Sequence, residues 1–387
     1  MASVGRRPFV ASWLLSLVLA AGLAGAAAAE PEVRFGRPVA EGAFGEDVTF
    51  STTFTSDVAP QRVELLTRVA GQESDHISIA ALEPADAGWR ATVSRSGHVV
   101  PNTAWDYRFR VVTEEGDAVG PTGSHRVLDS RFEWDVLEGD GVDVWTYEGD
   151  DDFAERALRI AEDALDEAAQ IMGVEVTEAV DFVIYTDTRA FREAMGPATR
   201  ENIEGQAHLS IRTLFALVQP SRMDSERTAE VISHELAHLV FHDAVDNPYQ
   251  YPPRWLNEGV AVYVSEGYPD GYRSQVRGAA GGDTIIPLEA LGGQFPTRTN
   301  RQTLAYAEST DAVDHLVETY GEPALVELIH AFGQGLGLDD AFGAATGEGF
   351  AAFEAGWLDS LDAEQPEPYG PQPVEPGPVP EGWTSEG

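Results

Sequence analysis

His234-Glu235-Leu236-Ala237-His238 sets two imidazoles four positions apart, with a carboxylate beside the first. The flanks, Val231-Ile232-Ser233 and Leu239-Val240-Phe241, are mostly apolar, as in a helix with one face in a core. Residues i and i+4 of a helix sit one above the other. Both imidazoles can therefore bind one zinc ion, with Glu235 positioned as a general base toward water. An ordinary amphipathic helix with polar residues facing solvent would read the same over these five residues. The rest of a catalytic centre has to be found elsewhere in the chain.

A catalytic zinc takes three protein ligands and keeps one position open. His242 continues the i, i+4 ladder, but eight residues of helix separate it from His234 by about 12 Å, too far to share an ion. A third histidine in a Gly-containing turn is absent too, because Ala244 stands where it would fall. Glu258, in Pro253-Arg254-Trp255-Leu256-Asn257-Glu258-Gly259, is the better candidate. The segment between allows one helix to end, a Pro-rich loop to turn, and a second helix to pack back.

This arrangement resembles the gluzincin metallopeptidases. Trp255-Leu256-Asn257-Glu258-Gly259-Val260-Ala261 is similar to the glutamate helix of the zinc aminopeptidases and their small peptidase MA-like relatives. The resemblance implies one catalytic zinc held by His234, His238 and Glu258, with Glu235 as base. Leu304-Ala305-Tyr306-Ala307-Glu308-Ser309 is similar to the segment carrying the transition-state tyrosine, which would make Tyr306 an oxyanion donor. The family's usual Lys-Gly after that tyrosine is replaced by Glu308-Ser309. Zinc aminopeptidases also hold the substrate's α-amino group with a glutamate on an edge strand. The nearest counterpart here, Gly205-Gln206-Ala207-His208-Leu209, carries His208 at that position. The implied activity is hydrolysis of peptide bonds, within a chain rather than at its amino end. A silent zinc-containing binding protein and a zinc hydrolase of a non-peptide substrate are the competing readings.

The elements that must position these residues fall into two groups. From about Val33 to Leu128, short runs alternate apolar and polar residues: Val48, Phe50, Thr52, Phe54; Val63, Leu65, Thr67; Trp105, Tyr107, Phe109, Val111. This period of two marks half-buried strands, and Gly and Pro-Asn turns separate them. The pattern predicts a β-sandwich over 33–130. Pro101 to Phe109 resembles the corner and strand of a fibronectin type III or Ig-like module. A boundary is expected near Asp129 to Asp135. Residues 135–361 then predict a zincin-like domain: strands near 142–147, 180–185 and within 205–218, a helix over 152–172, and helices from Thr228 to Leu361. Gly205 to Ser210 is the candidate edge strand of the cleft. The expected fold class is α+β, a β-sandwich followed by a mixed sheet with a mainly helical C-terminal half.

Composition sets the surroundings. Arg6-Arg7, the apolar run Phe9 to Leu23 and Ala27-Ala28-Ala29 read as a secretory leader over 1–29. Export to the extracellular side is the expectation, with no stable membrane insertion after leader cleavage. Residues 362–387 are rich in Pro, Glu and Gly and predict a disordered tail. Cysteine is absent, so packing and metal must hold the fold without disulfides. All the basic residues are arginine, and 25 of them face 65 acids for a net charge of −40. Such a surface repels nucleic acid and anionic membranes, and salt screens its self-repulsion. The expected partner is a peptide or protein substrate; oligomeric state is left open.

Overall fold

The computed structural model describes residues 31–364 apart from 70–71, 73, 197–203 and 248. The expected leader, and the expected tail from residue 365 onward, lie outside the described residues. The N-terminal half holds β1 (Val33–Phe35), β2 (Val39–Glu41), β3 (Val48–Ser56), β4 (Arg62–Val69), β5 (His76–Ile79), β6 (Ala81–Ala85), β7 (Gly88–Arg95), β8 (Ala104–Val112), β9 (Asp117–Val119) and β10 (Gly123–Arg126). They form two antiparallel sheets, β1-β3-β7-β6 with β2 on β3, and β10-β8-β4-β5 with β9 on β8. Alternate residues of the long strands enter one core: Val48, Phe50 and Phe54 meet Val63, Leu65, Trp105, Tyr107, Phe109 and Val111. Period-two patterning thus became a sandwich, because each sheet buries one face against the other.

The second half opens with β11 (Asp135–Glu138), β12 (Val142–Thr146) and α1 (Asp151–Met172), then β13 (Val180–Tyr185) and α2 (Thr188–Met195). β14 (Gly205–His208) and β15 (Thr213–Leu217) complete a sheet of order β11-β12-β13-β15-β14. Its three inner strands run parallel, and the outer two are antiparallel to their neighbours. The acids before α1 serve as a cap, since the Asp150 carboxylate accepts from the Phe153 N–H. The helices that follow are α3 (Glu226–Val245), α4 (Arg254–Glu266), α5 (Asp270–Ala280), α6 (Thr299–Tyr320), α7 (Glu322–Gly333), α8 (Leu338–Thr346) and α9 (Phe350–Ser360). The fold is α+β, a β-sandwich leading into a mixed sheet and a helical C-terminal half.

The mixed sheet is covered on both faces, which is why β13 is apolar from Phe182 to Tyr185. Phe182, Ile184, Leu214 and Ala216 join the helical core. Val183, Tyr185 and Phe215 face the other way, into a cluster with Phe191 and Met195 of α2. Phe44 and Val100 of the sandwich half pack against that cluster, as do Phe132 and Trp134. The segment expected as a boundary is therefore a junction. Asp129 is 1% exposed, pairs with Arg131 and accepts from the Tyr185 hydroxyl at 2.9 Å. A second polar fastening joins Asn102 Nδ2 to Asp181 Oδ2 at 2.7 Å and to Thr213 Oγ1 at 2.9 Å. Trp145 Nε1 donates to the other oxygen of Asp181.

Glu308, where the resembling family has lysine, is fully buried on α6. Both of its oxygens lie within hydrogen-bond reach of the Ile286 N–H, at 3.1 and 3.2 Å. Burial pushes its carboxyl up to about 8, against the pull of that N–H and of Arg301. The folded protein thus holds a proton that the unfolded chain releases near 4.5. The contribution of Glu308 to stability is full below that value and declines as pH rises toward 8. Glu308→Gln should match the parent's Tm at pH 4 and exceed it by about 2–5 °C at pH 8.5, read by calorimetry. A pH-independent difference between the two would show that Glu308 is not held neutral.

Candidate active site

α3 is capped by Ser225, whose hydroxyl accepts from the Thr228 N–H at 3.2 Å. Ile232, Leu236, Leu239 and Val240 of α3 enter the helical core, which fixes the helix's rotation. That rotation leaves His234 and His238 on the cleft side, a turn apart and edge-on, with ring centroids 4.8 Å from each other. α4 begins after Pro253 and buries Trp255, Leu256, Val260 and Ala261. The glycine after Glu258 has a packing reason. A Cβ on Gly259 would lie 2.4 Å from the Ser309 carbonyl oxygen, so α4 and α6 can approach this closely only through glycine.

This packing brings three of the sequence-predicted residues together. One ligand atom each from His234, His238 and Glu258 lies within 4.8 Å of the others. Both His Nε2 atoms stand 3.6 Å from Glu258 Oε2. A tetrahedral zinc with bonds of ~2.0–2.2 Å spaces its ligands by about 3.3 Å, within a few tenths of that separation. The two-imidazole, one-carboxylate donor set also suits zinc. His242 lies outside this cluster, half-buried beside the Tyr251 ring.

The field of the site favours a cation. Burial pushes the Glu258 carboxyl up, but His234, His238 and Arg254 outweigh it and hold it down at about 2. Burial opposes charge on His234 as well, and Glu258 and Glu235 overcome it, raising the imidazole. His238 Nδ1 sits 2.8 Å from Asn257 Oδ1, which leaves Nε2 for the cluster. Asn257 is itself steadied by a 3.3 Å hydrogen bond from its Nδ2 to the Tyr251 hydroxyl.

Glu235 stays out of the cluster and reaches the sheet edge. Its Oε2 accepts from the Ala207 N–H at 2.8 Å. β14 can lie this close because residue 205 is glycine. A Cβ there would fall 2.8 Å from Val231 Cγ1 and 2.9 Å from Glu235 Cγ. Tyr306, on α6, lies beside His234 with ring centroids 6.5 Å apart. Burial and Glu258 raise its hydroxyl against the opposing pull of Arg254, so it stays protonated and able to donate.

The strand of the cleft edge ends at His208 and passes into a turn over Leu209–Ile211, two residues short of the Ser210 expected. Antiparallel partners share a face, and Gln206 pairs with Phe215 while Ala207 pairs with Leu214. Gly205 and Ala207 therefore face α3. Gln206 and His208 face the sandwich side, and the His208 ring packs edge-on against Phe215 at 5.3 Å. Burial pushes that imidazole down to about 4, so it is neutral. Three residues of the site carry no role in the sequence reading: Arg254, Asn257 and Gly205. Arg254 had a usable signal, since it stands four positions before Glu258 on one helix, the spacing of a helical ion pair.

A His-Glu-x-x-His helix facing a glutamate helix, on a mixed sheet behind a β-sandwich, defines a gluzincin-type metallohydrolase. The chain belongs to the Peptidase MA superfamily, whose family model matches residues 160–363. It is accordingly a zinc metallopeptidase, a hydrolase using one catalytic zinc. Among solved structures it is similar to an M1 zinc metallopeptidase from Deinococcus radiodurans, with 14% identity over 89% of this chain and 96% of that one, and a TM-score of 0.39. It is also similar to an aminopeptidase N family protein from Idiomarina loihiensis, with 10% identity over 82% of this chain and 73% of that one, and a TM-score of 0.39. No curated protein matches the chain.

Proposed function

We propose that the chain is a secreted zinc endopeptidase in which His234, His238 and Glu258 hold the metal. The observation carrying this reading is the meeting of those three donor atoms beside a fourth group, Glu235, that is fastened to the sheet edge instead. When bound, zinc lowers the pKa of water toward 7 and polarises a carbonyl. Glu235 accepts the proton of the attacking water and returns it to the leaving amine. The Ala207 N–H keeps one Glu235 oxygen fixed, which leaves the other for that proton. Tyr306 donates its hydroxyl hydrogen to the oxygen on which negative charge develops.

The edge strand supports an extended substrate. The Leu217 N–H donates to the Glu204 carbonyl at 2.8 Å. By the alternation of antiparallel pairing, Gly205 and Ala207 then turn their backbone groups away from β15. Ala207 gives its N–H to Glu235, and the remaining groups can pair with a peptide backbone as an added strand. The endopeptidase reading rests on what this strand lacks. Its four residues, Gly205 to His208, include no carboxylate to hold an α-ammonium group. Glu204, just before the strand, is paired with Arg227 at 3.2 Å.

Export rests on the leader pattern of residues 1–29, and no helix of the described residues is long and apolar enough to cross a membrane. The test compares an N-acetylated peptide with its free-amine twin, using protein recovered from the medium, which should begin at Glu30. Both peptides should be cut at the same internal bond, at rates within about threefold, in moderate salt that screens the acidic surface. Release of single residues from the free amine alone would overturn the endopeptidase reading.

A further inference from the structure

Arg254 touches both halves of this centre. Its Nε and one terminal nitrogen donate to the same Glu258 oxygen, Oε1, at 2.9 and 2.8 Å. The other oxygen, Oε2, is the one 3.6 Å from both imidazoles. The two carboxylate oxygens thus have separate occupations. The Arg254 guanidinium also reaches Tyr306, through the ring of Phe295. Arg254 is itself held in place. Its guanidinium lies over the Phe295 ring at 4.9 Å, and Phe295 packs edge-on against the Tyr306 ring at 5.2 Å. The Arg254 backbone N–H donates to Gly292 at 2.9 Å.

We propose that Arg254 is a positioning residue with two simultaneous effects: it restricts Glu258 to one metal-binding oxygen and, through Phe295, holds the Tyr306 ring beside the cluster. This rests on the ligand and oxyanion roles proposed above. A carboxylate free to bind through both oxygens would fill the coordination position that a catalytic zinc must leave open. A Tyr306 ring free to shift would spend part of its time with its hydroxyl out of reach of the oxygen that gains charge. Lysine cannot replace Arg254 on both counts, because one ammonium lacks the planar guanidinium that forks onto a carboxylate oxygen while lying over an aromatic ring.

The experiment places Arg254→Lys, with Arg254→Gln as a second variant in case the first does not fold, in the parent and in Tyr306→Phe. Zinc affinity is read by competition with a chromophoric chelator. Values of kcat and KM are read on an internally quenched peptide at saturating zinc. In the parent background, kcat should fall by about 10–100-fold with KM changed by less than about threefold. In the Tyr306→Phe background, the same substitution should cost less than about threefold, because the hydroxyl it positions is gone. Zinc affinity should fall by about 10–100-fold in both backgrounds. An equal loss of kcat in both backgrounds overturns the action through Tyr306. Unchanged zinc affinity overturns the action through Glu258, provided that Glu258→Ala loses zinc. Glu258→Ala that keeps zinc would sink the ligand assignment instead. Tyr306→Phe with parental kcat would sink the oxyanion role and this half of the inference with it.

Discussion

Glu235→Gln should yield a protein that binds one zinc per chain and has lost hydrolysis by a factor of about 10²–10⁴. Glu235 lies outside the donor cluster, so exchanging its carboxylate for an amide removes no ligand. Glutamine keeps a carbonyl oxygen that can accept from Ala207, so the fastening between α3 and β14 survives and stability should hardly change. What disappears is a group able to take a proton from water and pass it on. Zinc content and steady-state rates measured on the same preparation decide the matter. Full activity would sink the mechanism, and loss of zinc would make Glu235 part of the metal's support.

Glu258→Ala should weaken zinc binding by more than the ~10–100-fold expected of an outer-shell partner, and His242→Ala should leave it unchanged. Glu258 supplies the only carboxylate of the cluster, whereas His242 lies outside it against Tyr251. Removing Glu258 also strips Arg254 of its carboxylate partner, which adds a folding cost. Glu258→Gln keeps the volume and an oxygen for Arg254, and so separates that cost from loss of the ligand. Metal retained after dialysis is the readout. Equal losses in the Glu258 and His242 variants would show that the third ligand has been misassigned.

The candidate cluster was legible because each of its parts carries a local pattern. His234 and His238 share one helical face whatever the tertiary fold, and Glu258 announces itself through the tryptophan and glycine around it. The long strands of the sandwich were legible for the same reason, since burial alternates along each of them. What escaped was what depends on contacts between elements. The face of His208 is set by the pairing of β14 with β15, and a four-residue strand has too few positions to reveal it. α5 went unexpected because Gly271 and Gly278 weaken its pattern and only Val276, Ala279 and Ala280 are buried. Residues 129–135 read as a boundary because the hydrophobic periods change there, from strand-like alternation to a helical pattern. Asp129 is instead buried, paired with its neighbour Arg131 and accepting from Tyr185, 56 positions away.

The junction between the sandwich and the mixed sheet also bears on how the molecule comes apart. Asp129 to Tyr185 and Asn102 to Asp181 fasten the sandwich to the back of the very sheet whose edge reaches Glu235. Removing the sandwich would strip Phe44 and Val100 from the cluster around Tyr185, Phe191 and Phe215 and leave Asp181 and Thr213 short of a shared donor. The halves accordingly belong to one cooperative unit, in which melting of the sandwich loosens β13 and β15 and, through them, the strand that holds Glu235. A protease that nicks the sandwich would silence the enzyme without ever entering its cleft.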